Sequence, residues 1–124
     1  MKEIKFSYED LEVWKKALNF AVSIIKETES LETNRKHFRL IEQLESAVTS
    51  IALNIAEGKG RNSKKEFVQF LYISRGSLFE TITLLEIFKR LEWINETKFL
   101  QFKNDGDEIG KMLSALINSI KKSY

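Results

Sequence analysis

No proline occurs in the 124 residues of this chain, and glycine occurs at only five positions. Proline and glycine punctuate the frequent chain reversals of all-β folds, so their scarcity favours long, uninterrupted helices. A chain of this length suits one domain, residues 1–124, built around a single hydrophobic core. The sequence therefore predicts an all-α protein.

Helix-end signals divide the first half of the chain into two helices. The hydroxyl of Ser7 has the position of an N-terminal cap, which predicts a first helix over residues 8–28. The polar stretch 29–36 interrupts the apolar pattern. A second helix then continues to Glu57, and we expect Gly58 to stop it.

The second half of the chain carries similar signals. Ser63 and Glu66 have the spacing of a capping box, which predicts a third helix continuing to about Leu91. Asn95 is placed to cap a fourth helix that ends near Lys122. Helices of this length joined by short loops pack antiparallel to their sequence neighbours. We therefore expect an up-down-up-down antiparallel four-helix bundle.

Glycines raise the question of a ligand site. The stretch NIAEGKGRNSKKEF, residues 54–67, combines Gly58 and Gly60 with four basic side chains, as a phosphate-binding loop does. However, the residues of this stretch do not have the spacing of a P-loop, and no predicted strand precedes the stretch. We expect both glycines to adopt left-handed conformations in a tight reversal. Gly106 lies inside the fourth helix, which we expect to remain continuous.

We interpret the same stretch as a structural corner. Asn54 is expected to hydrogen-bond to the turn or to a neighbouring helix, and Glu57 to pair with Arg61 after the reversal. The residues assigned to this structural motif are Asn54, Glu57, Gly58, Gly60, Ser63, Glu66 and, further along the chain, Gly76.

Two predicted helices carry more apolar surface than a monomeric bundle needs. The apolar arc of the first helix spans about 200°, whereas a surface helix needs about 100°. On the third helix one apolar stripe contains Phe67, Leu71, Leu78, Ile82 and Leu85, and a second contains Phe70, Ile73, Leu84, Phe88 and Leu91. Each residue taken alone is expected to lie in the core, but the surplus favours self-association into a homo-oligomer.

The second helix has an unusual polar side. Gln43, Ser46, Ser50 and Asn54 are all uncharged, although charged residues make up 31% of the chain. Short polar groups allow another helix to approach closely and to hydrogen-bond across the contact. The strip is either such a contact surface or a solvated face that lacks charge, and the pattern favours neither.

Catalytic and cofactor chemistry has few candidate residues. His37 is the only histidine and there is no cysteine, so Ser-His-Asp triads, multi-histidine metal sites and thiolate chemistry lack their components. The acidic run 105–108 lacks the spacing of a calcium loop and is expected to be a polar helix face. We expect a protein that is not an enzyme, with no catalytic residues, metal or cofactor. The absence of cysteine and of apolar export or membrane segments predicts a cytoplasmic location without membrane association.

Four segments of the sequence resemble a known family. They are DLEVWKKAL (10–18), SIALNIAEGKGRNSKKEFVQFL (50–71), GSLFE (76–80) and KMLSALINSIKK (111–122). In this order and spacing they resemble the S23 family of bacterial four-helix bundles, first known from intervening sequences in 23S rRNA genes. The resemblance implies a ring-like homopentamer, a non-enzymatic role and a link to RNA. It also implies a distant similarity to the accessory protein of diversity-generating retroelements.

The chain departs from this family in the middle of the second helix. Where family members often have Q-L-R-R-A, this sequence has QLESA, residues 43–47, with Glu45 and Ser46 in place of two arginines. The family's prolines are also absent, and Ala52 stands at one of their positions. Losing two positive charges from one helix face weakens the inference of RNA binding by analogy.

Two functional hypotheses follow. In the first, the protein is an accessory factor whose basic bundle end binds RNA or DNA phosphates, and the candidate residues are Lys59, Arg61, Lys64, Lys65, Lys121 and Lys122, with Lys2 and Lys5 nearby. In the second, the bundle is a scaffold for an unidentified protein partner, and these basic residues only form a solvent-exposed face of the bundle. The net charge of +2 does not decide between them.

Overall fold

A computed structural model of the chain describes residues 2–31 and 37–124 and contains four α-helices over these residues. They are α1 (Glu12–Glu29), α2 (Phe38–Lys59), α3 (Lys64–Arg90) and α4 (Glu96–Lys121). Part of the polar stretch predicted to separate the first two helices, residues 32–36, lies outside the described residues. The predicted all-α four-helix bundle is confirmed.

Contacts between helix ends establish the antiparallel order. The hydroxyl of Thr28, at the end of α1, donates to Glu45 near the start of α2 at 3.1 Å. The ammonium group of Lys64, at the start of α3, donates to the carbonyl of Ser123, just after α4, at 3.1 Å. Each helix packs on its sequence neighbour, and α1 also packs on α4, so the four helices enclose one core.

The start of α1 differs from the prediction. Ser7 does not cap an α-helix that begins at Tyr8; instead, a short 3-10 turn spans Ser7–Asp10 and α1 begins at Glu12. The backbone N–H of Phe6 donates to the carboxylate of Glu9 at 2.7 Å, which stabilises the turn. This turn packs on both α1 and α2.

The glycines between α2 and α3 also differ from the prediction. Gly58 does not stop α2, which continues to Lys59, and Gly60 has the right-handed backbone of an ordinary C-terminal cap, with φ of −80°. No glycine among the described residues has positive φ. A Cβ atom on Gly58 would lie 2.6 Å from the Cβ of Phe70 on α3. Gly58 therefore permits close packing of two helices rather than a left-handed turn.

The second pair of helices begins as the sequence predicts. The hydroxyl of Ser63 accepts a hydrogen bond from the backbone N–H of Glu66 at 3.1 Å. The side-chain oxygen of Asn95 accepts a hydrogen bond from the backbone N–H of Lys98 at 2.7 Å. The fourth helix is continuous through Gly106, which is buried against α3. The acidic run around this glycine is exposed, as expected for a polar helix face.

Part of the polar strip of α2 is a contact surface within the chain. The hydroxyls of Ser50 and Ser77 on α3 lie 2.9 Å apart, and the amide of Gln43 donates to Glu80 on α3 at 3.4 Å. The prediction that Asn54 bonds to the turn or to a neighbouring helix is wrong. Its side chain donates to the carbonyl and the hydroxyl of Ser50, both at 2.8 Å, because Ser50 lies one turn earlier on the same side of α2. Ser50 and Gln43 therefore support the α2–α3 contact, whereas Gln43 and Ser46 also remain exposed to water.

The apolar surplus is only partly absorbed by the core. Leu84 and Phe88, which belong to the second predicted stripe of α3, are buried because α3 packs on both α2 and α4. Other large apolar side chains of the helices remain exposed: Leu18, Val22, Phe38, Leu53, Tyr72, Ile73, Phe79, Ile87, Leu91 and Leu100. The bundle thus presents apolar surface that one chain does not cover.

Candidate nucleic-acid interface

Three chain segments meet at one end of the bundle and bring together the predicted basic residues. Lys59 ends α2, Arg61 lies in the following turn, and Lys64 and Lys65 form the first turn of α3. The antiparallel packing places the end of α4 beside the start of α3. We call the six residues Lys59, Arg61, Lys64, Lys65, Lys121 and Lys122 the basic end.

Two contacts join α3 to the carboxyl terminus. The ammonium group of Lys64 donates to the carbonyl of Ser123 at 3.1 Å and to its hydroxyl at 3.0 Å. The ammonium group of Lys65 lies 5.9 Å from the centroid of the Tyr124 ring, which remains half exposed. These contacts place two lysines of α3 next to the last residues of the chain.

Lys121 has the most defined environment in the basic end. Its ammonium group donates to the phenolic oxygen of Tyr72 at 3.2 Å. This hydrogen bond is the main cause that raises the pKa of Lys121 above its ordinary value. The Arg75 guanidinium carbon lies 5.0 Å from the centroid of the same Tyr72 ring. A second cation therefore adjoins the aromatic ring that positions Lys121.

Arg61 is held by the structure itself. Its guanidinium pairs with the carboxylate of Glu57 across the turn, and the guanidinium carbon lies 4.7 Å from the centroid of the Phe70 ring. Lys59 lies 5.8 Å from the Phe67 ring. Arg61 thus links the end of α2 to α3, and its charge is already partly compensated.

The remaining lysines of the basic end lack a carboxylate partner. Within residues 2–31 and 37–124, Lys59, Lys64, Lys65, Lys121 and Lys122 form no ion pair with a carboxylate. By contrast, Lys5 pairs with Asp10 at 2.7 Å, and this contact lowers the pKa of Asp10. The nearby positive charge that the sequence predicted from Lys5 is therefore compensated.

The aromatic residues Tyr72 and Tyr124 at this end are not among the sequence-predicted site residues. One signal points to Tyr72: it follows Lys65 by seven residues, which places both on the same side of α3. No comparable signal exists for Tyr124, because its contact depends on where α4 ends in space. Gly76, assigned to the structural motif, lies on the exposed side of α3, and apart from its own stretch of helix no atom lies within 4 Å of the position of a Cβ there.

His37 lies at the opposite end of the bundle, against an aromatic ring. Its ring centroid is 4.7 Å from that of Trp93, which in turn packs on Phe88. Among the described residues, no group of three or more histidine, cysteine, aspartate or glutamate side chains is placed to hold a metal ion. None of the described helices is long and apolar enough to cross a membrane.

Comparisons with known proteins identify similar chains. Residues 9–115 match the 23S rRNA-intervening sequence protein family. The fold is similar to the crystal structure of a protein of unknown function from the S23 ribosomal protein family of Bacteroides thetaiotaomicron VPI-5482, with a TM-score of 0.79 and 33% sequence identity. That similarity covers 85% of this chain and 97% of the other. No curated protein matches this chain.

Proposed function

Because the chain belongs to the 23S rRNA-intervening sequence protein family, we propose that it is a non-enzymatic, self-associating accessory bundle that binds RNA through its basic end. The observation that carries the proposal is the group of five lysines at this end that have no carboxylate partner among the described residues. Such lysines release counterions when they contact phosphates, which is the main source of sequence-independent affinity.

The aromatic rings beside these lysines favour single-stranded nucleic acid. Proteins that bind single strands combine a basic surface with aromatic side chains on which bases stack. Tyr124 is half exposed and adjoins Lys65, and Tyr72 is exposed beside Lys121. The basic end thus offers phosphate contacts and stacking surfaces within the same few residues.

Self-association strengthens this binding. One copy presents few lysines, and its net charge is only +2, so a single chain binds phosphates weakly. In an assembly whose basic ends are aligned, several copies bind the phosphates of one strand at once. Each copy makes the same contacts as a single chain, but the linkage raises the overall affinity. The exposed apolar side chains of α1 and α3 supply the surface for such assembly, and the resemblance to the S23 family implies a pentamer.

The experiment compares the wild type with a variant of the basic end. Lys59→Glu, Lys64→Glu and Lys65→Glu are combined, and Arg61 is kept because it holds the turn. Binding of single-stranded RNA and DNA of one sequence is measured by filter retention across a salt series. Loss of three phosphate contacts lowers the slope of log affinity against log salt by about 2 for each engaged subunit.

A matched control carries the same change of charge elsewhere. Lys26→Glu, Arg39→Glu and Arg90→Glu reverse three exposed charges toward the opposite end of the bundle. We expect this control to have the wild-type slope of log affinity against log salt. Its affinity is expected to fall moderately at every salt concentration, because the net charge of the protein is lower. If the wild type fails to bind at low salt, or if both variants behave alike, the nucleic-acid function is wrong. The protein-scaffold hypothesis then remains.

A further inference from the structure

A groove between α3 and α4 has an apolar floor. It has a volume of about 610 Å³, within the range of about 300–1,000 Å³ that is usual for pockets that bind small molecules. Leu78, Phe79 and Ile82 line it from α3. Gly106 and Gly110 line it from α4 and leave this floor uncovered, since a Cβ atom on Gly106 would already lie 2.7 Å from Cδ1 of Ile82. We call this cavity the α3/α4 groove.

The apolar lining of the α3/α4 groove selects against strongly polar ligands. Phe79 is 59% exposed, so most of its ring is available for contact with a bound molecule. The hydroxyl of Thr83 also lines the groove, but it donates to the backbone carbonyl of Phe79 within α3. A nucleobase or a sugar on this floor would lose hydrogen bonds to water without replacing them, whereas an alkyl chain has none to lose. The lining therefore suits an apolar chain.

The groove is elongated along the two helices. Its lining on α3 begins at Arg75 and ends at Thr83, a length of about 12 Å at about 1.5 Å per residue. On α4 the lining begins at Lys103 and ends at Ser114, a length of about 16 Å. Because the helices are antiparallel, Arg75 and Ser114 lie at one end, and Thr83 and Lys103 lie at the other. This shape suits an extended chain with its head group at one end.

Arg75 holds a positive charge at its end of the groove. Its guanidinium donates to the hydroxyl of Ser114 on α4 at 3.3 Å. The guanidinium carbon lies 5.0 Å from the centroid of the Tyr72 ring and 6.0 Å from that of the Phe79 ring. Within residues 2–31 and 37–124, Arg75 forms no ion pair with a carboxylate. A guanidinium has five N–H donors, so the contact with Ser114 leaves others for an anion.

The other charged residues of the groove do not provide a comparable anchor. Asp107 pairs with Lys111 at 3.0 Å, so these two charges largely compensate each other. Lys103 is exposed at the opposite end, and its ammonium group lies 5.7 Å from the centroid of the Phe99 ring, which does not line the groove. The lining therefore has an excess of positive charge, and Arg75 is the cation that neutral neighbours hold in place beside the apolar floor.

We propose that the α3/α4 groove binds an unbranched aliphatic carboxylate, the class of molecule that includes the free fatty acids. The carboxylate accepts two parallel hydrogen bonds from the guanidinium of Arg75, a geometry that gives arginine its specificity for carboxylates. The alkyl chain extends over Phe79 and Ile82 toward Thr83. Removal of this apolar surface from water supplies most of the favourable free energy, and Arg75 determines the direction of binding.

The proposed site is separate from the surfaces assigned to the other functions. Ile73 and Ile87 are exposed apolar residues of α3 that do not line the groove, so they remain available for self-association. None of the six residues of the basic end lines the groove either. Failure of RNA binding would therefore leave this site unaffected.

Isothermal titration calorimetry of the full chain with decanoate, below its micelle concentration, tests the site. We expect the wild type to bind decanoate. Butyrate carries the same head group on a much shorter chain, and decanol and decylamine carry the same chain with a neutral or a positive head group. We expect all three to bind at least about tenfold more weakly than decanoate, because each lacks either apolar contact or charge-assisted hydrogen bonds.

Two variants alter the head-group end and the floor. Arg75→Gln removes the positive charge, and we expect the affinity for decanoate to fall about tenfold or more while the affinity for decanol stays unchanged. Phe79→Glu places a carboxylate one helical turn after Arg75, where it pairs with the guanidinium and repels the ligand, so we expect decanoate binding to be lost. The matched controls are Arg39→Gln and Leu53→Glu, at exposed positions of α2, and we expect both to keep the wild-type affinity.

Circular dichroism establishes that every variant is folded, and light scattering of the same samples identifies another occupant of the groove. If decanoate fails to bind, or if decanol and decylamine bind as tightly as decanoate, the proposed site is wrong. It is also wrong if Arg75→Gln and Phe79→Glu keep the wild-type affinity. Absence of decanoate binding together with a lower assembly mass for Phe79→Glu would show that a second copy of the chain occupies the groove in place of a ligand.

Discussion

Gly58 of α2 lies so close to Phe70 of α3 that a Cβ atom on the glycine would be 2.6 Å from the Cβ of the phenylalanine. The same atom would lie 3.0 Å from Cδ1 of Phe67 and 3.3 Å from the backbone carbonyl of Phe67. A Cβ cannot rotate away from its own backbone, so α2 and α3 would have to move apart. The contact beside the basic end therefore depends on the missing side chain.

We predict that Gly58→Ala destabilises the protein. Alanine gains about 1 kcal/mol over glycine from helix propensity, whereas overpacking at a close helix contact costs about 1–3 kcal/mol. The melting temperature should therefore fall. The control is Gly60→Ala, because a Cβ there has its nearest neighbour at an ordinary 3.5 Å and the backbone φ of −80° suits alanine. If Gly58→Ala melts at or above the wild-type temperature, the packing explanation for this glycine is wrong.

We predict that Glu92→Gly stabilises the protein by about 1 kcal/mol. Glu92 has a φ of 63° and ends α3 with a Schellman motif, in which its N–H donates to Lys89 and that of Trp93 donates to Phe88. Glycine is the usual residue at this position because it has no Cβ to strain. Urea unfolding measures the change, with Glu92→Ala as a control that removes the charge but keeps the Cβ. Equal stability of the Gly and Ala variants would contradict the prediction.

We predict that Gly76→Ala stabilises the protein by up to about 1 kcal/mol. Gly76 lies in the middle of α3, and the chain leaves open space where its Cβ would be. Alanine therefore loses less backbone entropy on folding and meets no neighbour. Unfolding is measured at one fixed protein concentration, because self-association alters apparent stability. A clear loss of stability would show that another chain covers this part of α3.

We predict that Tyr72→Phe lowers the pKa of Lys121. The phenolic oxygen of Tyr72 accepts a hydrogen bond from Lys121 and raises its pKa, so the charged form is favoured in the fold. This interaction stabilises the fold below the ordinary lysine pKa and is lost as the pH rises through the raised value.

Carbon-13 NMR of the lysine ε-methylene groups over an alkaline titration measures this pKa. Lys5 is an internal control, because its pKa is raised by Asp10 in a different part of the chain and should not change in the Tyr72→Phe variant. An unchanged Lys121 midpoint in that variant would contradict the hydrogen bond as the cause.

Local interactions made much of the fold predictable from the sequence. The caps at Ser63 and Asn95 each join residues three positions apart, so the spacing of two side chains was sufficient to place the starts of α3 and α4. Apolar periodicity gave the number of helices, because it reflects the geometry of one helix at a time. The antiparallel order followed from the short loops.

The basic end was predictable in part. Lys59, Arg61, Lys64 and Lys65 are close in sequence, and the antiparallel order was enough to add Lys121 and Lys122. The environment of each charge was not predictable. Glu57 compensates Arg61 through a pair that spacing suggests, but the contact of Lys121 with Tyr72 joins residues 49 positions apart.

Only the tertiary structure decided what the glycines do. The sequence suggested that Gly58 and Gly60 form a left-handed turn, since glycine tolerates positive φ at no steric cost. In the structure the positive φ belongs to Glu92, and Gly58 and Gly106 mark places where α2 and α4 press against α3. The sequence of a helix predicts the direction of its side chains, but it does not predict the distance to the neighbouring helix. That distance is set by packing the whole core, and it determines where a missing Cβ is required.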